Sequence, residues 1–181
     1  MQKEEGSLRQ LTLKEIALAK TVFGGEIAYP RVWIHCASYL PFGLQRRGTA
    51  MTPNGELFFR KELYSPDFGA ESTVDIRHLF IHEMMHVWQH QKGMWVRARG
   101  MFSWAADYTY RLDDRALLDY GLEQQAQIIA DYYVLQAYGY REWNIQRRKA
   151  WPVVTYQGVS DQNTLATRYR KTLFRFLQGV K

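Results

Sequence analysis

The sequence predicts an α+β fold in which a small, mostly antiparallel sheet lies beside several helices. Three observations predict it: an amphipathic helix near the start, a β-rich region with a strong turn signal, and two long helical segments later in the chain. Of the 181 residues, 46% are hydrophobic, which is ample for one core. We therefore expect one domain over 1–181, with the first helix and sheet over 11–64, the helices that carry the candidate site over 72–139 and a basic helical extension over 140–181.

The elements of the first half follow from capping and turn chemistry. Leu11–Phe23 predicts a helix, because it opens with the Thr-x-x-Glu pattern of a capping box and two glycines follow it. Arg31–Cys36 alternates and is rich in β-formers, so it predicts a strand. Thr52-Pro53-Asn54-Gly55 is a turn signal, and we expect 49–51 and 56–59 to pair around it as a hairpin.

The second half is predicted to be helical. Thr73–Gln91 contains neither proline nor glycine and predicts a long helix, with Gly93 as its C-cap. A second helix is expected over 116–138, where Gly139 ends it. Residues 163–177 predict a last, basic amphipathic helix.

The motif His82-Glu83-Met84-Met85-His86 reads H-E-x-x-H inside an apolar segment. On a helix, residues four apart point the same way, so both imidazoles can bind one Zn²⁺ at roughly 2.0–2.1 Å. Glu83 then lies beside the metal and can take a proton from the water that the metal activates. Because the flanking residues are apolar nearly all round, the helix is predicted to be buried, where unpartnered His and Glu would be costly. The pattern predicts a zinc hydrolase, most simply a metallopeptidase.

A zinc site of this kind needs a third protein ligand and an open position for water. Gln89 and Lys92 stand where the metzincin pattern requires Gly and His, which excludes that pattern. Glu123 lies some tens of residues downstream, at the start of the second predicted helix, and is the favoured third ligand. Asp107 is the alternative.

Other polar residues are candidates for supporting roles. Gln127 shares a helix face with Glu123 and could hold a ligand by a hydrogen bond. His90 continues the four-residue spacing, and a drift of about 40° per step brings it near the azimuth of Glu83, which it could orient. Hydrolysis also needs a donor for the oxyanion. The nearby candidates for that role are Tyr108, Tyr110, Tyr132, Tyr133 and Arg111. For each of these residues, an ordinary packing or surface role is the alternative.

Composition and charge limit which partners and which cellular compartment we expect. The formal charge is +6, and much of the excess Lys and Arg lies late in the chain near Trp143 and Trp151. We interpret it as a solvated helix face, so nucleic acid is not an expected partner.

Cys36 is the single cysteine, so no intrachain disulfide forms, and a reducing compartment is compatible. Met1–Gln10 lacks the apolar core of a secretory signal, and no run reaches the roughly 18–20 apolar residues of a membrane span. A cytoplasmic protein is the default expectation, and export by a route that reads no N-terminal signal stays open.

The order of helix, small sheet, motif helix and second ligand helix matches the minimal zincin plan. The chain also resembles bacterial zincin-like proteins called Vgr-related, which are linked with the Vgr and Rhs elements of type VI secretion. The resemblance covers roughly Leu11 to Tyr138. The segments that carry it are Leu13–His35, Pro41–Gln45, Ala50–Gly55, Phe80–Gln89 and Glu123–Ala126.

This resemblance implies a metallopeptidase whose substrate is generally unassigned, linked with a secretion-system partner. The intact motif together with Glu123 makes a zinc-dependent peptidase of the Glu-zincin type, acting on a peptide or protein, the first hypothesis. The wider Glu-zincin clan usually carries an Asp four residues after the ligand Glu, whereas this chain has Gln127 there. That departure motivates an alternative function, in which the chain is a non-proteolytic, zinc-containing accessory or binding module of a secretion system. A toxin that uses the same chemistry in neighbouring cells is a third hypothesis.

Overall fold

The computed structural model describes residues 5–94, 109–148, 156–159 and 161–180. Within them it has the α+β class that the sequence predicts, with a three-stranded sheet in the order β1-β2-β3. The strands are β1 (Ser7–Gln10), β2 (Trp33–Cys36) and β3 (Leu57–Phe59). The helices are α1 (Leu13–Phe23), α2 (Val74–Gln91), α3 (Leu122–Gln146), α4 (Gln162–Thr172) and α5 (Phe174–Gly179).

The sheet is mixed, which corrects the expectation of a mostly antiparallel one. β1 pairs antiparallel with β2, but β2 pairs parallel with β3, with Ile34 opposite Leu57. The predicted hairpin around the turn at 52–55 is reduced to one antiparallel bridge, in which Met51 and Phe58 exchange hydrogen bonds of 3.1 and 2.8 Å. After β2 the chain reverses direction twice, once before Met51 and once at the turn, so β3 runs in the same direction as β2. Strand β1 was not predicted.

The capping box of α1 is confirmed. The hydroxyl of Thr12 accepts the backbone N–H of Glu15 at 3.1 Å, and the Glu15 carboxylate accepts the backbone N–H of Thr12 at 2.8 Å. The same buried carboxylate accepts two hydrogen bonds of 2.8 Å from the Arg9 guanidinium, which ties β1 to α1. Gly24 ends the helix at a φ of 50°.

Helix α2 has the extent and the burial that its sequence predicts. It ends in a Schellman turn, where Gly93 has a φ of 79°, its N–H bonds the His90 carbonyl at 2.9 Å, and the Met94 N–H bonds the Gln89 carbonyl at 2.9 Å. Its buried residues, among them Ile81 and Met84, face the core on most sides of the helix.

Helix α3 packs along α2 and differs from the prediction at its start. It begins at Leu122, because Leu117–Asp119 forms a separate 3-10 turn. At Gly139 the backbone leaves helical geometry (φ 81°, ψ 178°), which is where the sequence places the end of this helix. Leu122–Gln146 is therefore a broken helix whose first part lies beside the H-E-x-x-H motif.

The predicted last helix is two helices, α4 and α5, which meet at Leu173. Tyr169 and Leu165 of α4 are fully buried, so the basic C-terminal region contributes to the same hydrophobic core as the earlier helices and strands. The division of the chain into one domain stays a prediction. In the described parts of the chain, no helix combines the length and the apolar character that crossing a bilayer requires.

Candidate metal centre

Three potential ligands meet where α2 packs against the start of α3. His82 and His86 lie on successive turns of α2, and Oε2 of Glu123 is 3.3 Å from Nε2 of His82 and 3.2 Å from Nε2 of His86. The ligand atoms of all three residues lie within 4.8 Å of one another. In a tetrahedral zinc site with bonds of about 2.0–2.1 Å, ligand atoms are about 3.3 Å apart. The donor set and its spacing therefore fit a zinc-sized cation.

The ring of His86 is held in the tautomer that a metal requires. Its Nδ1 is 2.8 Å from Oε1 of Gln89, and because an amide oxygen only accepts, Nδ1 carries a hydrogen, so that the neutral ring has its lone pair on Nε2. The Gln89 amide nitrogen donates at 3.0 Å to the carbonyl of Leu122 and at 3.0 Å to Oε1 of Gln125. Gln89 is fully buried, so one amide orients a ligand and joins the two ligand-bearing helices. The sequence reasoning used Gln89 only to exclude one metal-site pattern.

The ionisable side chains of the site shift one another's pKa values. Burial by itself lowers the pKa of His86, but the carboxylates of Glu123 and Glu83 outweigh burial and raise that pKa to about 9. Burial opposes ionisation of Glu123, yet the imidazoles of His86 and His82 hold its pKa well below the usual value. A carboxylate held negative between two imidazoles favours a cation at this position, either a proton or a metal ion.

Glu83 is buried next to His82 and receives a hydrogen bond from a distant segment. The hydroxyl of Thr52 donates to Oε2 of Glu83 at 2.6 Å. Thr52 opens the turn before β3, and this turn also contacts the exposed ring of His90 through Gly55. A Cβ at Gly55, whose φ is 76°, would lie 2.5 Å from Cδ2 of His90, so a larger residue there would force the His90 ring to move. His90 therefore lies against the turn that carries Thr52.

Gln127 lies one turn after Glu123, but its described partners are elsewhere. Its amide nitrogen donates to Oδ1 of Asp131 at 2.8 Å and lies 3.2 Å from Nε2 of His78. His78 and Asp131 form a buried pair at 2.8 Å. Within the described ranges, Gln127 makes no hydrogen bond to Glu123. His78 and Asp131 form a buried link between α2 and α3.

A chain of hydrogen bonds runs from α4 to this pair. The Trp143 indole N–H donates to Tyr169 at 2.9 Å, the Tyr169 and Tyr110 hydroxyls are 2.6 Å apart, and Tyr110 donates to Oδ2 of Asp131 at 2.5 Å. Because the Asp131 carboxylate only accepts, the single hydroxyl hydrogen of Tyr110 goes to Asp131, so the chain has one direction and Tyr169 donates to Tyr110. Tyr110 is buried with its hydroxyl bound to Asp131, so it is not placed to meet an oxyanion at the metal ligands.

The other candidates for the oxyanion donor are dispersed. The Tyr133 hydroxyl lies 3.4 Å from that of Tyr138, and the Tyr132 ring packs against Tyr169 with centroids 5.7 Å apart. Arg111 is exposed, and its carbonyl accepts the Tyr120 hydroxyl at 2.6 Å. Asp107 and Tyr108 lie outside the described residues. Of the two candidates for the third ligand, Glu123 is therefore the one whose distances to the histidines the structure describes.

Comparison with known proteins places the chain in a family. No protein-family model matches the chain. The chain is 41% identical over 133 residues, 70% of its length, to the type VI secretion system spike protein VgrG2b of Pseudomonas aeruginosa. The solved effector domain of Pseudomonas aeruginosa VgrG2b matches with a TM-score of 0.65 and 36% identity, over 87% of each chain. The chain belongs to the VgrG2b effector-domain family.

Membership in the VgrG2b effector-domain family confirms the Vgr-related part of the resemblance and the link to type VI secretion. The chain spans 13% of the length of the VgrG2b spike protein, while it spans most of the effector domain. The chain is therefore related to the effector part of VgrG2b. What the spike protein does as a whole is a property of VgrG2b. Neither name states a catalytic activity or a metal.

Proposed function

We propose that the chain is a zinc-dependent peptidase of the Glu-zincin type. The single observation that supports it best is the pair of distances from Oε2 of Glu123 to His82 and His86, 3.3 and 3.2 Å, which match the spacing of tetrahedral zinc ligands. Glu83 lies next to His82 in the chain. A bound zinc ion would act as a Lewis acid, which lowers the pKa of water and polarises the carbonyl under attack.

The chain's own residues then divide the work. His82, His86 and Glu123 hold the ion. Glu83 accepts the proton of the attacking water and passes it to the leaving amine. Thr52 donates to Oε2 of Glu83, and Oε1, which receives no hydrogen bond from the described residues, is the oxygen that would move the proton. The buried helix around the site limits the access of bulk water to Glu83.

The test replaces one oxygen of the proposed base. Glu83→Gln should still bind zinc, measured by metal analysis of the purified protein, because Glu83 is not a ligand. It should lose at least about a hundredfold of the cleavage rate on denatured casein or cell-wall peptides, since an amide cannot accept the proton. Glu62→Gln, at an exposed carboxylate, is the control and should keep the activity. Cleavage by Glu83→Gln at the wild-type rate would rule out this mechanism.

The third ligand needs its own test. Glu123→Ala should lower the zinc content, because it removes the one carboxylate of the cluster. If Glu123→Ala retains full zinc, Glu123 is not the ligand and Asp107 becomes the lead candidate.

We also propose that type VI secretion exports this protein, with a Vgr or Rhs element as its partner. The homology to a spike protein and to its effector domain supports that proposal. Secretion should stop in a strain without a functional type VI apparatus, which a tagged chain in culture supernatants would show.

A non-proteolytic accessory role is the second candidate, and one observation favours it. In the described part of the chain, Oε1 of Glu123 receives no hydrogen bond, and the amide nitrogen of Gln127 donates to Asp131 instead. A weakly supported ligand can hold a structural ion without fast turnover. Zinc-dependent cleavage of the casein or cell-wall substrates by the wild type would refute this role.

A further inference from the structure

The loop between β2 and Met51 exposes two large apolar side chains. Phe42 is 98% exposed, which is the highest value among the described large apolar residues, and Leu44 is 68% exposed. The peptidase proposal uses neither of them. We call residues Pro41–Leu44 the apolar tip.

The apolar tip is held in place by two polar side chains. The buried Gln45 amide accepts the N–H of Tyr39 at 2.8 Å and donates to the carbonyls of Thr49 and Phe58 at 2.8 and 3.0 Å. Arg60, which follows β3, donates to the carbonyls of Gly43 and Gln45 at 2.9 and 2.8 Å. The sheet therefore presents the tip as an ordered protrusion.

Phe42 adopts a backbone conformation that disfavours it. Its φ of 57° and ψ of 21° lie in the left-handed region, which residues other than glycine, asparagine and aspartate seldom adopt. The exposed ring makes little packing that could offset this strain. Folding therefore does not account for a phenylalanine here, and strain retained at an exposed site points to a function of the side chain.

Exposed cations follow the apolar tip, and two carboxylates lie among them: Glu5 pairs with Arg60 at 2.6 Å, and Glu62 lies next to Lys61 in the chain. Arg46 and Arg47 follow it in the chain, and Lys61 follows the arginine that holds it; all three are exposed. Among the described residues Arg46 has no ion-pair partner, and Arg47 has one weak exposed contact, with Glu62 at 3.6 Å. This arrangement complements an anionic surface. Two apolar side chains on a protrusion offer little of the roughly 800 Å² that each side of a stable protein interface buries, but they can enter the headgroup region of a bilayer.

We propose that the apolar tip docks the protein on anionic lipid bilayers. Phe42 and Leu44 enter the boundary between headgroups and acyl chains, and Arg46, Arg47 and Lys61 contact the lipid phosphates. This docking is independent of the metal site.

The test is co-sedimentation of the full chain with vesicles of phosphatidylethanolamine and phosphatidylglycerol, and with vesicles of phosphatidylcholine alone. The test variant is Phe42→Ser/Leu44→Ser. The control is Leu13→Ser/Phe174→Ser, which removes an equally large pair of exposed side chains elsewhere (86% and 59% exposed). Both variants should fold, because none of the four side chains is buried, and circular dichroism checks this.

We expect the wild type and the control to bind the anionic vesicles, and the test variant to bind at least about tenfold more weakly, because it buries two fewer apolar side chains. Raising the salt from about 0.1 M to about 1 M should weaken the binding by screening the arginines and the lysine. Absence of wild-type binding, equal binding of the test variant, or equal binding to phosphatidylcholine overturns the proposal. A lipid-independent dimer that the test variant loses also overturns it and assigns the tip to a second copy of this chain.

Discussion

The hydroxyl of Thr52 donates a 2.6 Å hydrogen bond to Oε2 of Glu83 and so connects the turn before β3 to the helix that carries both histidines. Both side chains are buried. A short bond from a hydroxyl to a carboxylate is one of the stronger hydrogen bonds in proteins. It fixes the orientation of Glu83 from outside the metal ligands, which makes Thr52 a positioning residue for the proposed base.

Replacing this hydroxyl should impair catalysis without removing the metal. Thr52→Val keeps the side-chain volume but leaves Glu83 free to rotate, so we expect kcat to fall by roughly 10–100-fold while the zinc content stays constant. Thr52→Ser restores the donor and should recover most of the rate. Steady-state kinetics on the casein substrate and metal analysis measure both effects. An equal loss in the serine variant would contradict the role of the hydroxyl.

Gln89 should matter for zinc affinity. Gln89→Leu removes the acceptor that holds the His86 ring and leaves the Leu122 carbonyl without its donor, so we expect zinc to bind about 10–100-fold more weakly. Competition with a chromogenic chelator measures this affinity. Gln136→Leu, at an exposed position of α3, is the control and should bind zinc like the wild type. Unchanged affinity in Gln89→Leu would show that the ring needs no such support.

The one-directional hydrogen-bond chain predicts a stability difference between two tyrosines. Tyr169→Phe deprives the buried Trp143 N–H of its acceptor and Tyr110 of its donor, so the free energy of unfolding should fall by about 1–3 kcal/mol. Tyr132→Phe is the control, because the Tyr132 hydroxyl makes no hydrogen bond to any described residue. Urea unfolding measures both variants. Equal stabilities would mean that the hydroxyl of Tyr169 contributes nothing.

The raised pKa of His86 predicts how the metal-free protein responds to pH. The folded pKa of about 9 exceeds the ordinary 6.5, because Glu123 and Glu83 outweigh burial. The stabilisation from protonated His86 is therefore complete below pH 6.5 and is lost as the pH rises through about 9. The melting temperature measured in a chelator should fall across this window, and the fall should be smaller in His86→Ala. A melting temperature that stays flat across the window in the wild type would contradict the coupling to Glu123.

Local patterns in the sequence predicted much of the framework. The capping box of Thr12 and Glu15, the long helix around the histidines and the break at Gly139 depend on residues within a few positions of one another. The spacing of His82 and His86 follows from helical periodicity. Glu123 was selected because a third ligand was required, and the structure brings it to both histidines.

Contacts between distant segments were not predictable in this way. The turn signal at 52–55 gave no indication that Thr52 would reach Glu83, and the four-residue spacing of Gln127 from Glu123 gave no indication that its amide would bond Asp131. Helical spacing says which face a side chain occupies, whereas the packing of the neighbouring element decides which partner that face meets.

By itself, the sequence determined the class of the fold, the motif helix and the chemical types gathered at the candidate site. The tertiary structure decided the parallel pairing of β2 with β3, the partner of Glu83 and the buried link between His78 and Asp131. The physical reason is the range of the interactions. Backbone hydrogen bonds and caps join residues a few positions apart, so periodicity encodes them. Side chains tens of residues apart meet only after the core has set the distance between their helices and strands.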